Sequence, residues 1–128
     1  MPSSDPRPEK PASRVSRGHA FEREAAALLK AQGFELVARN WRTGHKEIDL
    51  IVRKDNLLVF VEVKSSRSIS YGHPAERVDK RKINNLVEAA EIYLQQHNIT
   101  GCDLRFDVIT FTNGQPEHYP NAFSKTED

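Results

Sequence analysis

Cysteine is almost absent from this sequence, in which Cys102 is the only one among 128 residues. A single thiol excludes an internal disulfide and a structural zinc site built on several thiolates. The sequence also lacks any run of about 20 apolar residues, and no apolar stretch follows its charged N-terminus. We therefore expect a soluble, cytoplasmic protein of a reducing compartment, with neither a transmembrane helix nor a secretory signal.

A large excess of charge of one sign is missing as well. The 19 Lys and Arg residues and 18 Asp and Glu residues leave a net charge of +1, which neither requires nor excludes a polyanionic partner. The charges are nevertheless segregated, because residues 39–54 sum to +3, residues 64–82 to +4 and residues 103–128 to −3. A basic centre of this kind is typical of proteins that contact phosphate. The residues that we expect to bind nucleic acid are Arg39, Arg42, Lys46, Arg67, Lys80 and Lys82.

The length of the chain fits one domain with less ordered ends. Residues 1–16 contain four prolines and four serines and almost nothing apolar, so they are expected to form a disordered tail. Residues 121–128 are polar at their end and are expected to be loose. The folded domain should therefore cover residues 17–120.

Apolar periodicity within that domain predicts a mixed α+β sheet. Helical spacing marks residues 18–32 and 79–97, and alternation or apolar runs mark strands at 34–40, 46–53, 56–64 and 104–112, with weak pairing at 117–119. The order is helix, strand, strand, strand, helix, strand. The third strand is apolar on both faces for most of its length and should be central. The short link at Lys54 and Asp55 predicts an antiparallel hairpin between the second and third strands.

Glu62 and Lys64 are the most informative residues, since they interrupt a strand otherwise made of Val, Leu and Phe. Charged side chains are rarely buried without a partner or a metal. Folding the hairpin sets Asp49 beside Glu62, so that both carboxylates and the Val63 carbonyl converge on one point. Such oxygen ligands suit a hard divalent cation such as magnesium, and an adjacent ammonium can stabilise a phosphate. The alternative is a same-face ion pair between Glu62 and Lys64 on an edge strand.

The pattern of Ile48-Asp49 followed by Glu62-Val63-Lys64 resembles the signature of the PD-(D/E)XK nuclease superfamily. Further motifs make the sequence similar to the YraN family of bacterial predicted endonucleases, which are related to archaeal Holliday junction resolvases. These motifs are Gly18 with Glu22, Arg39-Asn40, 47–51, 59–64, Gly72 with Pro74, Lys82 and 105–108. The resemblance covers residues 17–112. The chain departs from the family pattern at Lys46 and Phe21, where glycine is usual.

The resemblance implies a restriction-endonuclease-like core that agrees with the element order above. It also implies that Asp49 and Glu62 bind Mg²⁺ or Mn²⁺, that Glu22 completes the metal site, and that Lys64 is the catalytic lysine. The expected activity is hydrolysis of phosphodiester bonds in DNA, including branched or junction DNA. Because junction resolvases cut two symmetric strands, the resemblance also implies a homodimer.

Two other classes of function remain open at this point. The chain could be a nucleic-acid-binding module that keeps the nuclease scaffold without cleaving, or a purely protein-binding domain. Trp41 and Tyr71 are expected in loops beside the basic segments, where they could stack on bases. Arg105 and Asp107 share a strand face and are expected to pair with each other or with Lys82. The five histidines have no metal-ligand spacing and are expected in loops or at the surface.

Overall fold

Two helices and five strands make up residues 14–66 and 80–123, the part of the chain that the computed structural model describes. The elements are α1 (Arg14–Ala31), β1 (Glu35–Thr43), β2 (Lys46–Lys54), β3 (Leu57–Ser66), α2 (Lys80–Gln96), β4 (Asp103–Thr112) and β5 (Gln115–Phe123). This order confirms the predicted α+β class. Within the described residues, neither helix has the length and apolar character needed to cross a membrane.

The five strands form one mixed sheet in the order β1-β2-β3-β4-β5, with β3 at its centre. β2 and β3 form the predicted antiparallel hairpin, in which Asp55 adopts a left-handed φ of 54°. β3 and β4 are parallel. The connection between them contains α2, which returns the chain to the end of the sheet where β3 begins. Asn113 and Gly114 both have positive φ, which suits the two-residue turn into β5.

Each face of the sheet is covered by one helix. Leu29 of α1 packs in a buried cluster that contains Leu50 and Val61. Tyr93 of α2 packs in a second cluster that contains Ile51 and Phe60. Neighbouring residues of β2 and β3 therefore point to opposite helices, as the side-chain period of two requires. The prediction that β3 is central and apolar on both faces is confirmed.

β1 departs from the regular alternation expected for it. The pairing with β2 shifts between Leu36 and Ala38, which leaves Val37 as a bulge that is 41% exposed. Leu36 consequently packs on the α1 side and Ala38 on the α2 side, whereas the sequence pattern placed them on one face. Trp41 lies in this strand rather than in a loop, and its ring meets Tyr93 edge-on at 5.2 Å between centroids. The expectation that Trp41 lies in a loop is therefore wrong, and its partly buried ring packs against the cluster under α2.

The ordered elements extend beyond the expected domain limits at both ends. α1 begins at Arg14, inside the segment expected to be a tail, because the last proline of that segment is Pro11 and the residues after it can become helical. β5 ends at Phe123 although residues 121–128 were expected to be loose. Phe123 stacks on Phe106, and this non-local contact has no signature in the local sequence. Two residues of β5, Pro116 and Pro120, have no backbone N–H.

Candidate functional site

The site begins where β2 and β3 separate. Their paired residues run from Lys54 and Leu57 to Leu50 and Val61, so Asp49 and Glu62 come next in the same register. At this point Val63 N–H donates a 2.8 Å hydrogen bond to Asp49 Oδ2. The Asp49 carboxylate thus accepts a hydrogen bond from a backbone N–H of β3. The hairpin brings Asp49 close to Glu62 and Val63, as the sequence predicted.

Ile48 and Leu50, two positions apart on β2, lie on opposite faces of the sheet. Ile48 packs in the cluster under α2 together with Ile51, whereas Leu50 packs under α1. A strict period of two would place Ile48 and Leu50 on the same face. The alternation of β2 therefore breaks around Asp49, the residue whose side chain bonds to β3.

An open cavity of about 360 Å³ lies at this separation. It is lined by Phe21, Glu22, His45, Lys46, Glu47, Asp49, Glu62, Val63, Lys64, Ser65, Lys82, Asn85 and Leu86. The structure thus brings together the five residues that the sequence proposed for catalysis and metal binding: Glu22, Asp49, Glu62, Val63 and Lys64. They come from α1, β2 and β3, so the site is formed by tertiary structure and not by one segment.

Asp49 is in an unfavourable environment for a carboxylate. Burial is the largest of the influences that raise its pKa, from 3.8 to about 8, and the negative charge of Glu62 is the next. Glu22 and Glu47 act in the same direction, and only the Val63 N–H opposes them. The Asp49 carboxyl therefore keeps its proton at neutral pH unless additional positive charge reaches the cavity.

The carboxylate oxygens that line the cavity are of the type that a hard divalent cation prefers. Glu22 is buried and its Oε1 has no hydrogen-bond partner within the described part of the chain. Across residues 14–66 and 80–123, no three His, Cys, Asp or Glu side chains are grouped closely enough to hold a metal ion together. Magnesium is commonly held by one or two carboxylates and several waters, so Asp49 and Glu62 with the Val63 carbonyl suffice as protein ligands.

Two of the cationic side chains that line the cavity form ion pairs with acids. Lys82 Nζ lies 2.6 Å from Glu62 Oε2, and Lys46 Nζ lies 3.5 Å from Glu88 Oε1. The structure pairs Lys82 with Glu62, and the expectation that Lys82 contacts a phosphate stays a prediction.

The other residues expected to bind nucleic acid lie outside the cavity lining. Arg42 contacts Glu47 at 3.5 Å between Nε and Oε2, which connects it to the edge of the cavity. Arg39 is exposed on β1, and Lys80 is exposed at the start of α2. Arg67 lies outside the described residues, as does Tyr71.

Sequence reasoning missed the contributions of Glu47, Asn85 and Asn40. Glu47 and Asn85 line the cavity, and the position of Glu47 two residues before Asp49 was the available signal. Asn40 lies on β1 between the pairs Arg39–Leu50 and Trp41–Ile48, directly across from Asp49 in the register. Its φ is 54° and its Oδ1 is buried without a hydrogen-bond partner among the described residues. A left-handed non-glycine residue inside a strand is unusual and is often associated with functional sites.

A second acidic centre lies on β4 and confirms the expected pairing of Arg105 with Asp107. Arg105 donates from Nε and Nη2 to the two carboxylate oxygens of Asp107, at 2.8 and 2.9 Å. Asp107 is fully buried and also contacts His118 Nε2 at 2.7 Å and Asn121 N–H at 2.9 Å. Burial alone would raise the pKa of Asp107, but the hydrogen bonds from His118, Arg105 and Asn121 together lower it. His118 is therefore part of an internal network, which corrects its expected surface role.

The fold and the site define a small α+β protein with one helix on each face of a mixed sheet and an acidic cavity where two central strands separate. The model of the uncharacterised protein family UPF0102 matches residues 21–111, and the chain belongs to this family. It is 40% identical over 111 residues to a UPF0102 protein of Chloroherpeton thalassium, with 87% of this chain and 84% of the relative covered. A UPF0102 protein of Aeromonas hydrophila is 42% identical, covering 87% of each chain. A UPF0102 protein of Azorhizobium caulinodans is 41% identical, covering 92% of this chain and 94% of the relative.

Proposed function

We propose that this protein is a metal-dependent endonuclease that hydrolyses phosphodiester bonds in DNA. The observation that carries the proposal is the convergence of Glu22, Asp49, Glu62 and Lys64 on one open cavity. The similarity of the motifs to PD-(D/E)XK nucleases of the YraN family, with their link to junction resolvases, favours branched or junction DNA as the substrate.

Asp49 and Glu62, together with the Val63 carbonyl, would hold the metal, and Glu22, whose Oε1 has no partner in the described part of the chain, would act as an outer ligand. A bound Mg²⁺ or Mn²⁺ would supply the positive charge that polarises a phosphate and acidifies a water molecule. The Val63 N–H fixes the orientation of Asp49 through its hydrogen bond to Oδ2. Asp49 must release its proton to become a ligand, so its raised pKa makes metal binding stronger at higher pH.

Lys64 supplies the ammonium group that this reaction needs beside the acids. It follows Glu62 at the spacing of one intervening residue, so that both side chains leave the same face of β3. In the cavity, its ammonium can orient the attacking water and offset the negative charge that develops on the phosphate. Lys46 and Lys82 line the same cavity and give the DNA backbone two further cationic contacts.

A second candidate function is a nucleic-acid-binding module without cleavage. The observation that favours it is that no group of three metal-ligating side chains occurs among residues 14–66 and 80–123. Such a module would bind nucleic acid with a salt-sensitive affinity but would have no requirement for a divalent cation.

The two candidates are distinguished by measuring magnesium or manganese binding calorimetrically and cleavage of a labelled four-way junction and a linear duplex. For the nuclease, wild-type protein binds the metal and cleaves DNA, and both Asp49→Ala and Glu62→Ala abolish cleavage while the circular dichroism spectrum is unchanged. Glu35→Gln is the matched control, because this carboxylate is exposed on β1 and does not line the cavity.

Cleavage that persists in both alanine variants would overturn the assignment of the site. DNA binding by wild-type protein that is unaffected by a chelator, without cleavage of either substrate, would instead support the non-catalytic module.

A further inference from the structure

The ion pair between Lys82 and Glu62 has a role beyond holding α2 against the sheet. The Glu62 side chain is 9% exposed, while that of Lys82 is 53% exposed, and 2.6 Å separates Nζ from Oε2. The carboxylate is thus fixed inside the cavity, whereas the ammonium reaches it from solvent on a flexible four-carbon chain. Of the two partners, Lys82 is the one that can move.

The position of Lys82 on its helix is electrostatically unfavourable. α2 begins with Lys80, Arg81 and Lys82, and its first turn contains no acidic residue. The N-terminal end of a helix carries a partial positive charge that favours acids and disfavours cations there. The stability of α2 therefore does not explain three cations in its first turn. An anion beside this end of the helix does explain Lys82, and the described structure provides one in Glu62.

The same carboxylate is a metal ligand in the function proposed above, on which this inference rests. A divalent cation and an ammonium group repel each other when both approach one carboxylate at contact distance. A metal bound to Glu62 would therefore weaken the ion pair between Glu62 and Lys82. The ammonium would then remain at the mouth of the cavity, where an anionic phosphate oxygen is an alternative partner.

We propose that Lys82 is an exchangeable counter-ion, which neutralises Glu62 when the metal is absent and contacts a phosphate of the nucleic acid when the metal is bound. Metal binding and nucleic-acid binding are then coupled through one side chain. By linkage, each ligand strengthens the binding of the other, and the coupling disappears when Lys82 loses its charge.

The test compares wild-type protein with Lys82→Met, which keeps much of the aliphatic chain and removes the charge. Calorimetry with Ca²⁺, which takes the same oxygen ligands as Mg²⁺, is expected to show tighter metal binding in the variant by about threefold to tenfold, since a competing cation is gone. Affinity for a labelled DNA duplex is expected to fall about tenfold in Ca²⁺ and less than twofold in a chelator. The DNA is examined on a gel after each titration to verify that it is intact.

Lys30→Met is the matched control, because Lys30 is exposed in the last turn of α1 and does not line the cavity. Its effect on DNA affinity should be the same with Ca²⁺ and with a chelator. If Lys82→Met leaves Glu62 unpaired and the protein unfolds, Lys82→Gln retains a hydrogen-bond donor for Glu62 while removing the charge, and the same titrations apply.

An unchanged or weaker affinity for Ca²⁺ in the variant would overturn the proposal, as would a loss of DNA affinity that is equal with and without Ca²⁺. Failure of the proposed nuclease function looks different, because wild-type protein itself would then bind no divalent cation. Wild-type binding of both ligands, with an unchanged Lys82 variant, would refute the role of Lys82 alone.

Discussion

Two aspartates, Asp49 and Asp107, occupy comparable positions within strands, yet their environments have opposite effects. The pKa of Asp49 is raised to about 8 by burial and neighbouring acids, whereas that of Asp107 is lowered, despite its burial, by hydrogen bonds from His118 and Arg105. Both carboxylates accept a backbone N–H, from Val63 and from Asn121. The difference lies in the partners of the two carboxylates, because Arg105 and His118 hydrogen-bond directly to Asp107, whereas the charges that act on the pKa of Asp49 are those of Glu62, Glu22 and Glu47. The described structure therefore compensates the burial of Asp107 but not that of Asp49.

The largest effect that we expect from this comparison is the loss of stability in Asp107→Asn. An amide cannot accept two hydrogen bonds from Arg105 and one from His118, so a buried network loses its anion. The free energy of unfolding should fall by about 3 kcal/mol at pH 7, as for other broken buried ion pairs. Urea denaturation measures this.

The pH dependence provides the control for the Asp107 prediction. Because the pKa of Asp107 is lowered, its stabilisation is present above the ordinary pKa of 3.8 and is lost as pH falls through the folded-state value. The variant should lack this acid-dependent loss. Equal stability of wild type and variant at pH 7 would contradict the structural role.

The second prediction concerns the free energy of unfolding of Asp49→Asn, measured with a chelator present. Its change should be opposite in sign to that of Asp107→Asn. A raised pKa means that the folded state binds the proton more tightly, so wild-type stability decreases as pH rises from about 4 to about 8. The variant should be free of this contribution, which has a slope of up to about 1.4 kcal/mol per pH unit. At pH 8 the variant should therefore be more stable than wild type. A variant that is less stable at every pH between 4 and 8 would show that Asp49, like Asp107, is already satisfied.

A third, smaller effect tests the strand geometry beside the two aspartates. Asn40, across from Asp49, and Asn121, which donates to Asp107, both have φ of 54°. Asn40→Ala should lower the free energy of unfolding by about 1 kcal/mol because alanine disfavours this conformation, whereas Asn40→Gly should have less effect. Thermal denaturation compares the two variants. Equal losses in both would mean that the amide group, and not the backbone conformation, matters at this position.

The smallest effect is expected from an exposed carboxylate on the same sheet. Glu35 accepts a 2.8 Å hydrogen bond from Arg53, but both side chains are more than half exposed, at 67% and 56%. Glu35→Gln should change the free energy of unfolding by less than about 0.5 kcal/mol and leave its pH dependence unchanged. A larger change in urea denaturation would mean that the contrast between Asp49 and Asp107 does not depend on burial.

The central part of the sheet was predictable because its signals are local. The apolar run of β3 identified the central strand, and the short link at Lys54 and Asp55 identified the hairpin that brings Asp49 next to Glu62 in the register. The shared face of Glu62 and Lys64 followed from the period of two. The convergence of the candidate site residues on one cavity could thus be anticipated, whereas their catalytic roles and the metal remain predictions.

The features that sequence reasoning missed depend on contacts between distant segments. Val37 and Asn40 interrupt the regular pairing of β1 with β2, and no local sequence pattern in β1 predicts these interruptions. β5 has few apolar residues and is ordered by its pairing with β4 and by the stacking of Phe123 on Phe106. His118 meets Asp107 only because those two strands pair. The positions of these residues depend on contacts in the tertiary structure, so they cannot be predicted from sequence alternation or composition.

The two edges of the sheet also limit how copies of this protein can associate. A regular edge strand offers a row of N–H and C=O groups on which another chain can add a strand. β5 lacks two of its N–H groups at Pro116 and Pro120, and β1 is interrupted by the bulge at Val37 and the left-handed Asn40. Both edges are thereby protected against edge-to-edge aggregation. Contacts between copies of this protein are therefore expected to avoid both edges of the described sheet.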